Sequence, residues 1–298
     1  MRSYRLLAAA LAVSAAAAFA ETPAPDAAAD GGTATEELVR SLHFVGGEVA
    51  IASAHAKLAL TPEFRFLDAA DAQRVLEQLW GNPPDADVLG MLVPTAASLT
   101  DSEQSWAVVV TYSDDGHVTD ASAASIDFGK LLAQMQDDTR EANAERREHG
   151  YAEATLIGWA TPPRYDPATN KLYWAKEIAF AGNDEHTLNY DIRVLGRSGY
   201  LSLNAVAGMH QLETVQAEMP KVLAMTSFEP GSSYADFDEK TDEIAAYGIA
   251  ALVTGTLAAK AGLFAKLLAL VIAFKKVLIA AVVAAAAAMR KRFARRPG

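Results

Sequence analysis

Charge is segregated along this chain, and that constrains it more than any single motif. All 37 acidic residues lie between Glu21 and Glu243, and both ends are apolar and acid-free. An apolar segment without acids can enter a bilayer, whereas a buried carboxylate there is costly. The two ends therefore describe an exported domain held at a membrane.

At the front, Arg2 and Arg5 precede the apolar stretch Leu6 to Ala18. Ala18-Phe19-Ala20 then fits a small-x-small cleavage pattern, so residues 1–20 read as a signal peptide with Glu21 as the first mature residue. The apolar run falls short of the roughly 20 residues a spanning helix needs. Residues 21–40 begin with Ala, Pro, Gly and Asp and little to bury, and read as a flexible leader.

At the back, residues 241–289 form a membrane segment made almost wholly of Ala, Leu, Val, Ile and Gly beyond Ile244. Leu267 to Met289 is the favoured span. It carries Lys275 and Lys276, each costing about 3 kcal/mol at mid-bilayer, less if they snorkel. Ile244 to Phe264 is the other candidate. The basic tail of residues 290–298, with Arg290, Lys291, Arg292, Arg295 and Arg296, belongs in the cytoplasm by the positive-inside rule. This places the bulk of the chain in the periplasm of a bacterial inner membrane, with the lipid bilayer as its first partner. Gly248, Ala251, Gly255, Ala258 and Gly262 would form a stripe of small residues on one helix. Such a stripe permits close helix packing in a membrane, for a homo-oligomer or a membrane-protein partner. An Ala-rich segment also makes such stripes by chance.

The part between the signal and Lys260 holds 15 basic and 37 acidic residues, a net of −22. That balance argues against nucleic acid and against anionic headgroups as partners of the domain. Cysteine is absent, which removes disulfides, thiol nucleophiles and thiolate metal sites. Residues 41–240 are enough to bury a core without staples.

Within that domain, residues 49–67 read as two short strands around Thr61-Pro62. Residues 69–80 read as a helix capped by Asp68 or Asp71 and stopped by Gly81-Asn82-Pro83-Pro84. Residues 89–94 and 105–112 read as strands, the second turning at Ser113-Asp114-Asp115-Gly116 and returning at His117-Val118. Residues 128–148 read as a helix. Four strands follow at 152–160, 171–180, 187–195 and 200–206, with short turns at 162–167, 181–184 and 196–199. Short connections imply an antiparallel four-stranded meander. A helix at 209–225 and a loop at 228–237 complete the domain, and a last helix beginning near Asp238 leads to the membrane segment. The expectation is an α+β fold: an antiparallel sheet with helices on one face, plus a C-terminal membrane helix.

The meander yields the candidate site. Leu188, Tyr190, Ile192 and Val194 alternate with Asn189, Asp191 and Arg193. If the turn at 196–199 sets the register, Asp191 faces Asn204 and Arg193 faces Ser202. Glu177 and Lys176 arrive from the preceding strand, one on each face. Glu177, Asp191, Arg193, Ser202 and Asn204 are thus the candidate polar patch, either a ligand surface or an ordinary solvated face with cross-strand pairs.

Other chemistry is thin. The six histidines form no i,i+4 pair, and neither a nucleophile elbow nor a phosphate loop is present. Asp236, Asp238, Asp242 and Glu243 lack the glycine and spaced glutamate of a calcium loop. No catalytic residue, metal ligand or cofactor site emerges.

The strings Trp80-Gly81-Asn82-Pro83-Pro84, Gly158-Trp159-Ala160, Trp174-Ala175-Lys176-Glu177, Leu188-Asn189-Tyr190-Asp191-x-Arg193 and Ala246-Tyr247-Gly248 resemble the DUF2167 family, from about Phe44 to Phe274. That resemblance implies a bacterial membrane-anchored protein and no particular reaction. The favoured reading is a non-enzymatic binding or scaffold module. The alternatives are an envelope hydrolase using carboxylates on the meander, and an accessory subunit of an inner-membrane complex docking through the small-residue stripe.

Overall fold

The computed structural model describes residues 27–254 apart from 102, 122, 124 and 125. Residues 1–20, expected as a signal peptide, the expected span Leu267–Met289, the basic tail and Gly255, Ala258 and Gly262 lie outside the described residues. The folded unit runs to Val253.

The chain enters through helix α1 (Ala27–Arg40), where a flexible leader was expected. Glu36 and Arg40 form an i,i+4 ion pair on its last turn. Three short strands follow, β1 (Glu48–Ile51), β2 (Ala56–Ala59) and β3 (Phe64–Asp68). Thr61-Pro62 is the break between the second and third. Helix α2 (Ala69–Arg74) continues as a wider π turn over Val75–Leu79, and Asp68 caps it by accepting from Asp71 N. Strands β4 (Val88–Pro94) and β5 (Trp106–Ser113) precede helix α3 (Phe128–Glu148).

The meander forms at its expected places as β6 (Ala154–Asp166), β7 (Lys171–Phe180), β8 (Thr187–Leu195) and β9 (Tyr200–Gly208). It is one end of a larger sheet. Seven strands pair in the order β3-β4-β5-β9-β8-β7-β6, antiparallel throughout, because β5 pairs with β9 along eight residues, Trp106 to Ser113. β9 is buried along its whole length and so are the first five residues of β5, so both faces of the joined strands are covered. The expected return at His117-Val118 does not pair with β5. His117 instead bridges Ile244 in parallel.

β6 extends through Pro162 and Pro163, where a turn was expected. It is an edge strand, and the missing prolyl N–H groups cost no ladder bond there. Three register shifts absorb the distortion. Its free backbone edge is covered by α3 side chains. Asn143 exchanges two hydrogen bonds of 2.8 Å with the Ala154 backbone, and Gln136 donates to the Leu156 and Ile157 carbonyls. This is how an edge strand is kept from pairing with another chain.

Helices cover both faces of the sheet, which corrects the one-face expectation. Helix α4 (Leu212–Met225) packs Val215, Met219, Val222 and Met225 against Val108, Leu188, Ile192 and Leu203. A second, three-stranded sheet, β1-β2-β10 with β10 at Thr226–Phe228, joins the same cluster through Ile51 and Leu58. The opposite face receives α2 over Ala107, Val109 and Val206, and α3 through Met135.

The C-terminal boundary also moves. Residues beyond Lys240 were assigned to the membrane segment, yet Ala245, Ile249, Leu252 and Val253 are buried in one cluster with Leu156, Leu172, Trp174 and Tyr200. Helix α5 (Ala250–Thr254) belongs to that core, and no described helix is long and apolar enough to cross a membrane. An apolar run satisfies a protein core as readily as a bilayer. Ile249→Ala and Leu252→Ala in the full chain are each expected to lower stability by about 2–5 kcal/mol, read from urea unfolding of the sheet. A segment engaged only in a bilayer would leave that transition unmoved.

Candidate functional site

β8 lies between β7 and β9, and its alternation sets the site. Asp191 pairs with Asn204 and Arg193 with Ser202, the register expected from the tight turn between β8 and β9. That turn is closed by Gly196 N donating to Gly199 O at 2.8 Å. A Cβ at Gly199 would come within 1.8 Å of the Ser113 carbonyl, so the turn must be glycine to lie against β5. From β7, Trp174 stands opposite Asp191 and Lys176 opposite Asn189.

This face is no solvated surface. Asp191 is 1% exposed, Asn189 and Trp174 are fully buried, and Ser202 and Asn204 are each 7% exposed. The apolar clusters under α2, α3 and α5 occupy the same side of the sheet. Nothing local to β8 announces that covering, which comes from segments far away in the chain.

The carboxylate of Asp191 is the centre of a network. Asn204 Nδ2 donates to Oδ1 at 2.7 Å and Arg193 Nη1 donates to the same oxygen at 3.2 Å. Lys176 Nζ lies 3.1 Å from Oδ2, and Asn189 Nδ2 approaches Asn204 Oδ1 at 3.5 Å. Arg193 also stacks over Trp174, its guanidinium carbon 4.8 Å from the ring centroid. Burial pushes the Asp191 carboxyl up, but the charges of Lys176 and Arg193 and the bonds from Asn204 and Lys176 outweigh it. The group is held below the usual carboxylate range and stays ionised.

Glu177 leaves the candidate patch. It pairs with Leu188, which puts it on the α4 side of the sheet, and its Oε1 meets His186 Nδ1 at 2.6 Å. Lys176, its neighbour, takes the place in the network. Sequence reasoning put Asn189 on the Asp191 side without counting it in the patch and left out Trp174 and Thr187, although period-two alternation along β7 and β8 already puts them on that side too. Of the small-residue stripe, Gly248 precedes α5 and Ala251 lies within it, and Gly255, Ala258 and Gly262 lie outside the described residues.

A second constellation ties the segment after β10 to the sheet. Arg197 donates to both oxygens of Asp242, at 2.7 and 2.9 Å. His117 is buried with its ring stacked between Tyr234 and Phe237, at centroid distances of 4.3 and 3.9 Å. Its Nδ1 lies 3.2 Å from the Arg197 carbonyl oxygen. Tyr247 donates to Asp115 at 2.7 Å, and Tyr234 to the Val118 carbonyl at 3.0 Å. Among the described residues, no group of three or more His, Asp or Glu is arranged to hold a metal.

The fold and site define an α+β domain whose seven-stranded antiparallel sheet buries an ionic network in one face. The chain belongs to the DUF2167 family, described as proteins of unknown function, whose pattern matches residues 43–286. The strings through which that membership was legible, around Trp174 and Asp191, are the ones that build the network. No curated protein matches the chain.

Among solved structures it is similar to cyanobacterial PsbP (CyanoP) from Synechocystis sp. PCC 6803. Identity is 11%, over 61% of this chain and 91% of that one, at a TM-score of 0.35. LpqN, involved in cell envelope biogenesis of Mycobacterium tuberculosis, is 15% identical over 65% of this chain and 96% of that one, at 0.32. The Saccharomyces cerevisiae Ran-binding protein Mog1p is 9% identical over 66% and 100%, at 0.31. Likenesses at this level carry no argument about activity.

Two outcomes follow from the geometry. Asp191→Asn leaves Lys176 and Arg193 buried without their counter-charge and should cost about 3–5 kcal/mol by chemical denaturation. Lys176→Met should cost less, because Arg193 and Asn204 still hold the carboxylate.

The second outcome concerns pH. Burial lowers the His117 pKa below its ordinary 6.5, against the opposing pull of the Arg197 and Gly196 backbone and of Asp120 and Asp242. The unfolded chain then binds that proton more readily than the folded one. His117 should therefore cost stability progressively as pH falls below about 6.5, and none above it. His117→Phe, which keeps a stacked ring, should flatten that part of the stability profile relative to the natural chain.

Proposed function

We propose that this protein is a membrane-anchored periplasmic module that binds or scaffolds a partner, without catalysing a reaction. The observation that carries this reading is the placement of the two candidate carboxylates. Glu177 and Asp191 face opposite sides of the sheet. A hydrolase built on that pair would need both groups flanking one bond. Each is also committed elsewhere, Glu177 to His186 and Asp191 to Lys176, Arg193 and Asn204. A buried carboxylate stabilised in its charged form makes a poor proton donor or acceptor near neutral pH.

The anchoring half of the proposal rests on the apolar, acid-free chain beyond the folded unit and on its basic end. In this reading the anchor lies beyond Val253, where the folded unit ends.

Fractionation of the native organism's cells, with protease added to spheroplasts, tests this directly. The full chain should sediment with membranes, resist alkaline carbonate and lose its folded domain to external protease. A chain stopped after Thr254 should appear in the periplasmic fraction. A full chain found in the cytosol, or protected from protease in intact spheroplasts, would overturn the proposal.

A further inference from the structure

The buried face of β7, β8 and β9 holds donors and acceptors that its own groups leave without a partner. Among the described residues, Trp174 Nε1, Thr187 Oγ1, Asn189 Oδ1 and Arg193 Nε on this face have no hydrogen-bond partner, and Asp191 Oδ2 is met by the Lys176 ion pair without one. Trp174, Thr187 and Asn189 are fully buried. A buried polar group left unsatisfied is costly, so a run of them on the two adjacent strands β7 and β8 calls for a common explanation.

Their positions are contiguous. Thr187, Asn189, Asp191 and Arg193 follow one another on one face of β8. Trp174 and Lys176 stand beside Asp191 and Asn189 on β7. The three charged groups meeting there are Lys176, Arg193 and Asp191, which leaves one positive charge in excess. Elsewhere the exported part is strongly acidic. Lys176 and Arg193 also keep 13% and 15% of their side chains exposed, so the cationic members are the ones that reach solvent.

We propose that this face is a binding site for a small oxyanion, a carboxylate or phosphate group carried by a soluble ligand. Arg193 and Lys176 supply the charge, and the indole N–H of Trp174 and the Nε–H of Arg193 donate to its oxygens. Thr187 and Asn189 accept from or donate to neighbouring hydroxyl or amide groups of the same ligand. Asp191 holds the two cations in place and is a positioning residue. The inference gives a ligand class to the binding module proposed above and rests on that reading.

The test uses the purified full-length protein labelled with 15N at the tryptophan indoles, with the Trp174 signal assigned from a Trp174→Phe variant. Inorganic phosphate, acetate and chloride are titrated separately at constant ionic strength. The Trp174 indole signal should move saturably with phosphate or with acetate and not with chloride, while the signals of Trp80, Trp106 and Trp159 stay in place. The anion that saturates at lower concentration identifies the phosphoryl or carboxylate class. Lys176→Gln should weaken that affinity about tenfold or more.

Arg193→Lys keeps the charge but removes the Nε–H donor. It should weaken the response while the other three indole signals report an intact fold. No saturable movement with either oxyanion, or equal movement with chloride, would overturn the site and leave the network a purely structural ion cluster. Neither result alters membrane anchorage, which fractionation reads separately.

Discussion

A carboxylate at 1% exposure in the middle of a sheet is tolerable only if its counter-charges arrive with it. Asp191 draws them from its own strand through Arg193, from β7 through Lys176, and completes its shell with Asn204 on β9. Each partner reaches it only in the observed register. A slip of one residue in β7 would send Lys176 to the α4 face and bring Glu177 toward Asp191, replacing attraction by repulsion between two acids. The network therefore favours the observed register of β7 as well as forming a polar cluster.

Around that network the remaining elements are coverings. The α4 face is closed by one apolar cluster that also takes in β2. The opposite face is closed by three separate pieces, α2, α3 and the residues from Ala245 to Val253. The last piece is held by contacts of a different kind. A bidentate pair, Arg197 with Asp242, and an aromatic sandwich around His117 fasten it to the turns at the ends of β5 and β8. Gly116 permits the close approach, since it adopts a φ of +100° and a Cβ there would stand 2.9 Å from Ala245 N.

Much of this could be read from the residues. Strict alternation in Thr187–Leu195 and the Gly196–Gly199 turn gave the pairings of Asp191 and Arg193, because a short hairpin leaves one register that buries the apolar set. α3 and α4 were legible from their spacing. β6 was truncated at Pro162 because proline usually ends a strand, and only its place at the sheet edge makes the continuation harmless. Ile249, Leu252 and Val253 read as part of a membrane segment because apolar residues carry the same local signal in a bilayer and in a core.

Period-two alternation, tight turns and charge segregation are local properties, so the sequence by itself determined the strands of the meander, the partners within it and the apolar character of both ends. Burial is not local. Whether Asn189, Asp191 and Arg193 face water or protein depends on segments as far off in the chain as Ala72 and Ile249, which close the same face of the sheet. Only the tertiary structure could decide that a polar stripe is an enclosed ionic network. It alone could show that the first residues of an apolar tail belong to the core beneath it.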